Sequence, residues 1–291
     1  MAKNNKIISI EGNIGSGKST LLTNLKEHYK GHCDIVFVDE PVSEWETIVD
    51  PSDGENMIQK FYKDQEKYSF SFQMMAYISR LALLKEAYEN NEDCVIICER
   101  SLLTDKHVFA QMLYDDGKIE DINYQIYKKW FETFARDYPI DKFIYVNAEP
   151  TKCYERVGKR SRTGESVIPL DYLQNCHNYH EKMVEIFDNV FQIDGNVDIN
   201  EKETQMVEWI ESIDTVVVKN LRYNIQCDVS NISSSDSIKK TNEKEDVDYG
   251  IPYVAVPNMQ FSEGTSEKES INCTSLCDSC ECECDCDCTD Y

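Results

Sequence analysis

Eight residues near the start of the chain limit its possible folds more than any other stretch: Gly12-Asn13-Ile14-Gly15-Ser16-Gly17-Lys18-Ser19. They match G-x-x-x-x-G-K-[ST], directly after the apolar, β-branched run Ile7–Ile10 and directly before Ser19–Tyr29, a segment of helical composition. A strand that turns into a helix through glycines points successive backbone N–H groups into one concavity, and the helix N-terminus adds positive potential there. Such a loop holds polyphosphate. Gly12, Asn13, Ile14, Gly15, Ser16, Gly17, Lys18, Ser19 and Thr20 are therefore expected to bind a nucleoside triphosphate. Lys18 can reach the β- and γ-phosphates, and the Ser19 hydroxyl can ligate Mg²⁺. The motif by itself leaves the reaction open.

Four further runs resemble Ile7–Ile10 in character: Ile35–Val38, Cys94–Cys98, Phe143–Val146 and Val190–Ile193. Each is nearly continuous in apolar residues, as expected of strands covered on both faces of a parallel sheet. Between and after them lie segments with helical patterning: Phe61–Glu89, Asn123–Asp137, Thr151–Lys159, Leu170–Phe187 and Glu201–Val218. Strand–helix alternation of this kind predicts an α/β domain, a five-stranded parallel sheet flanked by helices. After about Asn220 the composition changes. Ser230–Asp248 holds almost no large apolar residues and cannot offset its ordering entropy, and Ile251–Phe261 is only a short apolar island. The expected organisation is one domain over residues 1–218 and a largely disordered tail over 219–291.

The balance of 30 basic against 54 acidic residues gives a net charge of −24, which disfavours a nucleic-acid polymer or an anionic membrane surface as partner. A small anion remains acceptable if its site is locally basic. No apolar run approaches the roughly 20 residues of a bilayer span, and Ile7–Ile10 reads as a core strand with no leader before it, so the expectation is a cytoplasmic protein. Of the 13 cysteines, Cys33, Cys94, Cys98, Cys153, Cys176 and Cys227 are scattered and read as reduced, buried small hydrophobes. The remaining cysteines, from Cys273 to Cys288, crowd the end of the chain and alternate with acidic residues. That tail is either low-complexity and unstructured, a metallothionein-like thiolate cluster for Zn²⁺ or Cu(I), or a lipidation site that its own acids oppose.

Further candidates fall just after the strands, where open α/β sheets place ligands. Glu40 with Pro41, Val42 and Trp45 follows the second strand, and Glu99-Arg100-Ser101 with Asp105 follows the third. Tyr62, Gln73 and Arg80 lie in the long helical segment, and Arg156, Arg160 and Arg162 form a basic group near Glu165. Phosphoryl transfer needs charge neutralisation, an in-line acceptor and a carboxylate near the acceptor hydroxyl; the arginines could supply the first and Glu40 the last. Taken singly, each has an ordinary alternative: a solvated basic helix face, a strand-end carboxylate, a core glutamine with a backbone partner.

Together the segments resemble the deoxynucleoside kinase family, from about Ile7 to Ile213 and in that family's order. The resemblance rests on E-G-N-I-G-S-G-K-S at Glu11–Ser19, E-P-V-x-x-W at Glu40–Trp45, F-Q at Phe72-Gln73, E-R-S at Glu99–Ser101 and R-S-R-T-G-E at Arg160–Glu165, followed by Ile168-Pro169-Leu170-Asp171-Tyr172-Leu173. It implies a P-loop kinase fold, ATP or another triphosphate as donor, Mg²⁺, a deoxynucleoside as acceptor, a role in nucleotide salvage, and a homodimer packed through helices. It also implies roles. Glu40 would be the general base at the nucleoside 5′-hydroxyl, oriented by Arg100. Glu99 and Ser19 would hold Mg²⁺, and Lys18, Arg156, Arg160 and Arg162 would carry phosphate charge. Tyr62 and Glu165 would bind the sugar 3′-hydroxyl, and Gln73 would pair with the base between Trp45 and Phe109. Ala76, Arg80 and Asp105 resemble members that take deoxycytidine and purine deoxynucleosides over thymidine. Two alternatives stay open: a nucleoside monophosphate kinase, which typically carries D-R-Y or D-R-F in place of Glu99-Arg100-Ser101, and a non-catalytic structural relative.

Overall fold

In a computed structural model of the chain, residues 3–160, 168–197, 204–223 and 225 are described. Arg162, Glu165, Cys227 and the cysteine-rich tail lie outside them. Five strands occur where the apolar runs predict them: β1 (Lys6–Glu11), β2 (Ile35–Val38), β3 (Val95–Glu99), β4 (Lys142–Asn147) and β5 (Val190–Asp194). All pair in parallel, in the order β2-β3-β1-β4-β5. The strand carrying the phosphate loop is thus central, with β2 and β3 on one side and β4 and β5 on the other.

The absence of polar alternation in the strands follows from two cores on opposite faces. Successive side chains point to opposite sides of a strand. Ile8 and Ile10, with Val95 and Ile97, enter one core beside Leu21, Leu22 and Leu25 of α1 (Lys18–His28). Ile7, with Ile96 and Cys98, enters the other. The second core receives α4 (Gln65–Asn90) and α7 (Asp121–Phe134), while α10 (Thr204–Ile213) closes the first. The apolar contact does not end at Val218: the helical chain continues, and Ile225 is buried in the first core with Leu221 against it.

Three departures from the sequence reading have local causes. The segment expected as one helix from Phe61 is two, α3 (Met57–Lys63) and α4, broken at Asp64. Asp64 ends α3 and its carboxylate accepts the Lys67 amide proton (3.2 Å), so it caps the next helix in place of continuing the first. The stretch after β3 is helical although too short and interrupted to show a period: α5 (Leu102–Thr104), a π-helical turn Asp105–Ala110, then α6 (Gln111–Asp115). Another short helix, α2 (Val42–Thr47), follows Glu40. The set is completed by α8 (Pro150–Arg160) and α9 (Leu170–Ile186). Cys94, Cys98, Cys153 and Cys176 are buried thiols as expected, but Cys33 is exposed, because it lies in the turn between α1 and β2. No helix among the described residues is long and apolar enough to cross a membrane.

Ile97 is wholly buried in a central strand. Ile97→Ala is expected to lower unfolding free energy by about 2–5 kcal/mol in urea titrations, whereas Val207→Ala on the exposed side of α10 stays within about 0.5 kcal/mol.

Candidate active site

The carboxyl ends of β1, β2 and β3 open onto one cavity of about 480 Å³. Residues 14–20 line it, as do Glu40, Trp45, Tyr62, Gln73, Arg80, Glu99, Arg100, Asp105, Phe109, Arg156 and Arg160. The sequence candidates from five separate segments therefore meet in space. Gly12 and Asn13 sit behind the wall as supports. The Gly12 carbonyl accepts from Arg100 Nη1 (2.8 Å), and the buried Asn13 amide donates to the Leu173 carbonyl (2.8 Å).

The phosphate loop adopts its shape because glycine stands where no other residue fits. Gly12 has φ +140°, and a Cβ there would approach the Val146 carbonyl oxygen to 2.5 Å; at Gly15, φ +82°, it would reach the Cys153 carbonyl at 2.6 Å. Lys18 opens α1 and folds back across the loop, donating to the Asn13 carbonyl (2.6 Å). Burial first, and Arg100 second, pull its pKa down to about 7 against the opposing carboxylates Glu99 and Glu40. A polyphosphate in the loop supplies the negative charge that this ammonium lacks.

Glu40 lies where the two ends of the cavity join. Its Oε1 accepts from Arg80 Nη2 (3.2 Å) and forms an ion pair with Arg100, whose Nε lies 3.1 Å away. Burial pushes the carboxyl pKa up, but Arg100, Arg80 and Lys18 together outweigh it and leave it at about 2. The residue is a fixed anion at neutral pH. Arg80 continues the network to buried Asp105 through Nε (2.9 Å) and Nη2 (3.4 Å), and to the Glu99 carbonyl through Nη1 (2.9 Å). Burial pushes the Asp105 carboxyl up while Arg80 pulls the other way; Arg80 itself stays a cation, since Asp105 and Glu40 overcome its own desolvation. Asp105 and Phe109 reach the same cavity because the wide π-helical turn brings residues four apart to one side.

Arg100 is set on an unusual backbone, φ +66°, a left-handed conformation that costs a non-glycine residue roughly 1–2 kcal/mol. The turn is held by Glu11, a residue with no role assigned from sequence. Its buried carboxylate accepts from the Ser101 amide (3.0 Å), the Ser101 hydroxyl (2.6 Å), Ser9 (2.6 Å) and Thr104. On the same turn Glu99 Oε1 accepts from the Ser19 hydroxyl (2.7 Å). Two hard oxygen donors side by side, facing the phosphate loop, fit Mg²⁺, which takes few protein ligands and fills the rest with phosphate and water. Among the described residues no group of three or more His, Cys, Asp or Glu could hold a metal without such help.

At the far end the cavity is aromatic. Trp45 stands edge-on to Phe72 (5.6 Å, 73°), and its indole N–H donates to Ser79 (2.8 Å), a second positioning residue without a sequence signal. Gln73 is buried among them, and its Oε1 has no hydrogen-bond partner among the described residues. Such a group is costly until something pairs with it. Tyr62 faces Tyr172 at 6.1 Å. Arg156 lines the cavity beside the phosphate loop. Its guanidinium donates to the carbonyls of Ser16 (3.2 Å), Gly195 (2.8 Å) and Val197 (3.4 Å), tying the loop to the turn after β5. Gly195, Val197, Met206 and Trp209, also unforeseen, extend the cavity wall there.

Comparison with known proteins gives a consistent picture. The family model described as deoxynucleoside kinase matches residues 8–218. Deoxycytidine kinase of Mus musculus is 33% identical over 236 residues, covering 71% of this chain and 90% of that protein. Thymidine kinase 2, mitochondrial, of Homo sapiens is 31% identical over 207 residues (70% and 74%). Deoxyguanosine kinase, mitochondrial, of Xenopus laevis is 32% identical over 193 residues (60% and 72%). Relatives named for three different bases lie within two percentage points of one another, so overall identity does not select a base.

The Arg80–Asp105 pair makes a stability test. Removing one partner of a buried pair strands the other charge, so Asp105→Leu is expected to cost about 3–5 kcal/mol in denaturant titrations. The double change Arg80→Met/Asp105→Leu should cost less than the single one.

Proposed function

The chain belongs to the deoxynucleoside kinase family, and from that premise we propose that it transfers the γ-phosphate of ATP to the 5′-hydroxyl of a deoxynucleoside in nucleotide salvage, taking deoxycytidine and purine deoxynucleosides in preference to thymidine. The observation that carries this reading is a single cavity with a phosphate loop at one end, an unpaired buried amide ringed by aromatics at the other, and an anionic carboxylate between them.

The donor's phosphates occupy the loop, where backbone N–H groups, Lys18 and the N-terminus of α1 neutralise them. Ser19 and Glu99 hold Mg²⁺, which supplies charge neutralisation at the phosphate oxygens. Both arginines take Oε1 of Glu40, so Oε2 is the oxygen offered to the acceptor's 5′-hydroxyl. With a pKa near 2, Glu40 is a weak base. It orients the hydroxyl and accepts its proton late, which suits a loose transition state in which the nucleophile is little activated. Arg160 carries phosphate charge and Tyr62 binds the sugar; Arg162 and Glu165, of which the same charge and sugar roles are expected, fall outside the described residues. Gln73 pairs with the base edge, and a base that leaves its amide unpaired is rejected. The Arg80–Asp105 pair occupies the space a thymine methyl would need, beside the small Ala76. Buried free thiols fit a reducing compartment such as the cytoplasm.

Assays with labelled ATP and a panel of nucleosides and monophosphates test the reading. Deoxycytidine or a purine deoxynucleoside is expected to be phosphorylated with higher kcat/KM than thymidine, and Glu40→Gln to lose about 10²–10⁴-fold in kcat while still binding ATP. Phosphorylation of monophosphates in place of nucleosides, or a Glu40→Gln enzyme of normal rate, would overturn it.

A homodimer is part of the same proposal. On α7 the face opposite buried Tyr124, Tyr127 and Phe131 presents Ile122, Ile126, Trp130 and Phe134, all exposed and one helical turn apart. Tyr77 of α4 donates to the Trp130 carbonyl (3.3 Å), and the next residue, Ile78, is also exposed. An apolar stripe of this length fits a second copy of the chain. Light scattering should give twice the chain mass, and Ile126→Glu/Trp130→Glu should give one; a monomeric parent would refute the dimer.

A further inference from the structure

His180, on α9, belongs to none of the groups assigned above, yet it touches one of them. The side chain is completely buried. Its Nδ1 lies 2.7 Å from the Cys176 carbonyl oxygen, one turn earlier in the helix. A carbonyl oxygen can only accept, so Nδ1 carries the ring proton. On the other side, Nε2 lies 3.4 Å from Nη1 of Arg100. A guanidinium can only donate, so Nε2 is the bare lone pair. Both contacts are satisfied together by one species, the neutral Nδ1–H tautomer. An imidazolium would set N–H against N–H beside a buried cation. Burial, and then Arg100, hold the His180 pKa well below the usual histidine range, in agreement with the geometry. Tyr145 lies nearly parallel to the ring (16°, 6.3 Å) and Phe109 edge-on (6.2 Å).

From Arg100 outward the contact acquires a purpose. The guanidinium is held through Nη1 by His180 and the Gly12 carbonyl and lies over the Phe109 ring at 5.0 Å, which leaves Nε 3.1 Å from Glu40 Oε1 in an ion pair. We propose that His180 is a positioning residue for phosphoryl transfer: its unprotonated Nε2 fixes the plane of the Arg100 guanidinium and so the placement of the Glu40 carboxylate. α9 begins at Leu170, and the Asn13 bond to Leu173 ties the same helix to the phosphate loop. Glu40, the loop and α9 are therefore connected through Arg100, His180 and Asn13. This inference rests on the reading of Arg100 and Glu40 as acceptor-side groups.

Two variants of the full chain, His180→Phe and His180→Gln, test it. Phenylalanine keeps a ring and loses the acceptor, whereas the glutamine amide oxygen can accept from Arg100. His180→Phe is expected to lose about 10-fold in kcat on the preferred deoxynucleoside with KM for ATP within about twofold of the parent, and His180→Gln to regain most of the loss. A merely structural histidine predicts reduced melting temperature in both variants with unchanged kcat per folded enzyme, and that result would overturn the proposal. So would a His180→Gln enzyme as slow as His180→Phe. Nitrogen-15 NMR of the labelled parent at neutral pH, which needs no activity, should show a neutral Nδ1–H histidine that disappears in either variant. An Nε2–H tautomer or an imidazolium at that position would also overturn the proposal. A parent that phosphorylates no deoxynucleoside sinks the functional reading, while the tautomer measurement still decides the geometry at His180.

Discussion

The carboxylate of Glu40, shared between Arg80 and Arg100, is the contact through which the rest of the site is connected. One anion between two buried guanidiniums ties three strand ends together, because Glu40 follows β2, Arg100 follows β3, and Arg100 in turn holds the Gly12 carbonyl beyond β1. It offsets part of the desolvation of both arginines. Further donors go to fixed acceptors, those of Arg80 to Asp105 and the Glu99 carbonyl, Nη1 of Arg100 to Gly12 and His180. A network of this kind is expensive when half-satisfied and rigid when complete. The acceptor side of the cavity is thus built in advance of its ligand.

The donor side is built on a different principle. Lys18 rests on the Asn13 carbonyl with its pKa drawn down to about 7, and Arg156 spends its donors on backbone carbonyls. These cations have protein partners in the structure, and under the proposed function a polyphosphate would give them stronger ones. An overall charge of −24 makes such local arrangement necessary, since the protein's field as a whole repels the ligand and only the loop's N–H groups and the cations beside it attract it. The strained Arg100 backbone sits at the seam between the two sides, and Glu11, anchored by four donors, offsets that strain.

The legible part of the fold was the part governed by burial. All five strands were readable because residues such as Ile7, Ile8, Ile96 and Ile97 face two cores at once and leave no polar alternation to confuse with a helix. The phosphate loop was readable because Gly12 and Gly15 occupy positions that no Cβ can. The candidate residues of five segments were named from a family resemblance, and the structure brings their described members to one cavity. What the sequence hid depends on single hydrogen bonds. Asp64 reads as one polar residue in a long amphipathic run until its carboxylate caps Lys67. The π-helical turn at Asp105–Ala110 has no period of its own. Glu11, Ser79 and His180 act through partners between 34 and 93 residues away, and no local pattern announces a partner at that distance.

Specificity then follows from what the acceptor pocket cannot adjust. Arg80 and Asp105 are locked to each other and to Glu40, so the wall they form cannot yield to a substituent without breaking the contact that holds the base carboxylate. Trp45 is pinned by Ser79, and Phe72 and Phe61 stack at 4.5 Å behind it. Against these fixed surfaces Gln73 Oε1 has an unmet bond among the described residues, and its amide is able to present a donor and an acceptor together to a base edge. Under the function proposed above, a base would be selected by shape against the ion pair and by pairing against Gln73. Because the ion pair also contacts Glu40, a base that displaced Arg80 would lower turnover as well as affinity. Discrimination in such a site would be expressed in kcat/KM, through the guanidinium that holds the Glu40 carboxylate.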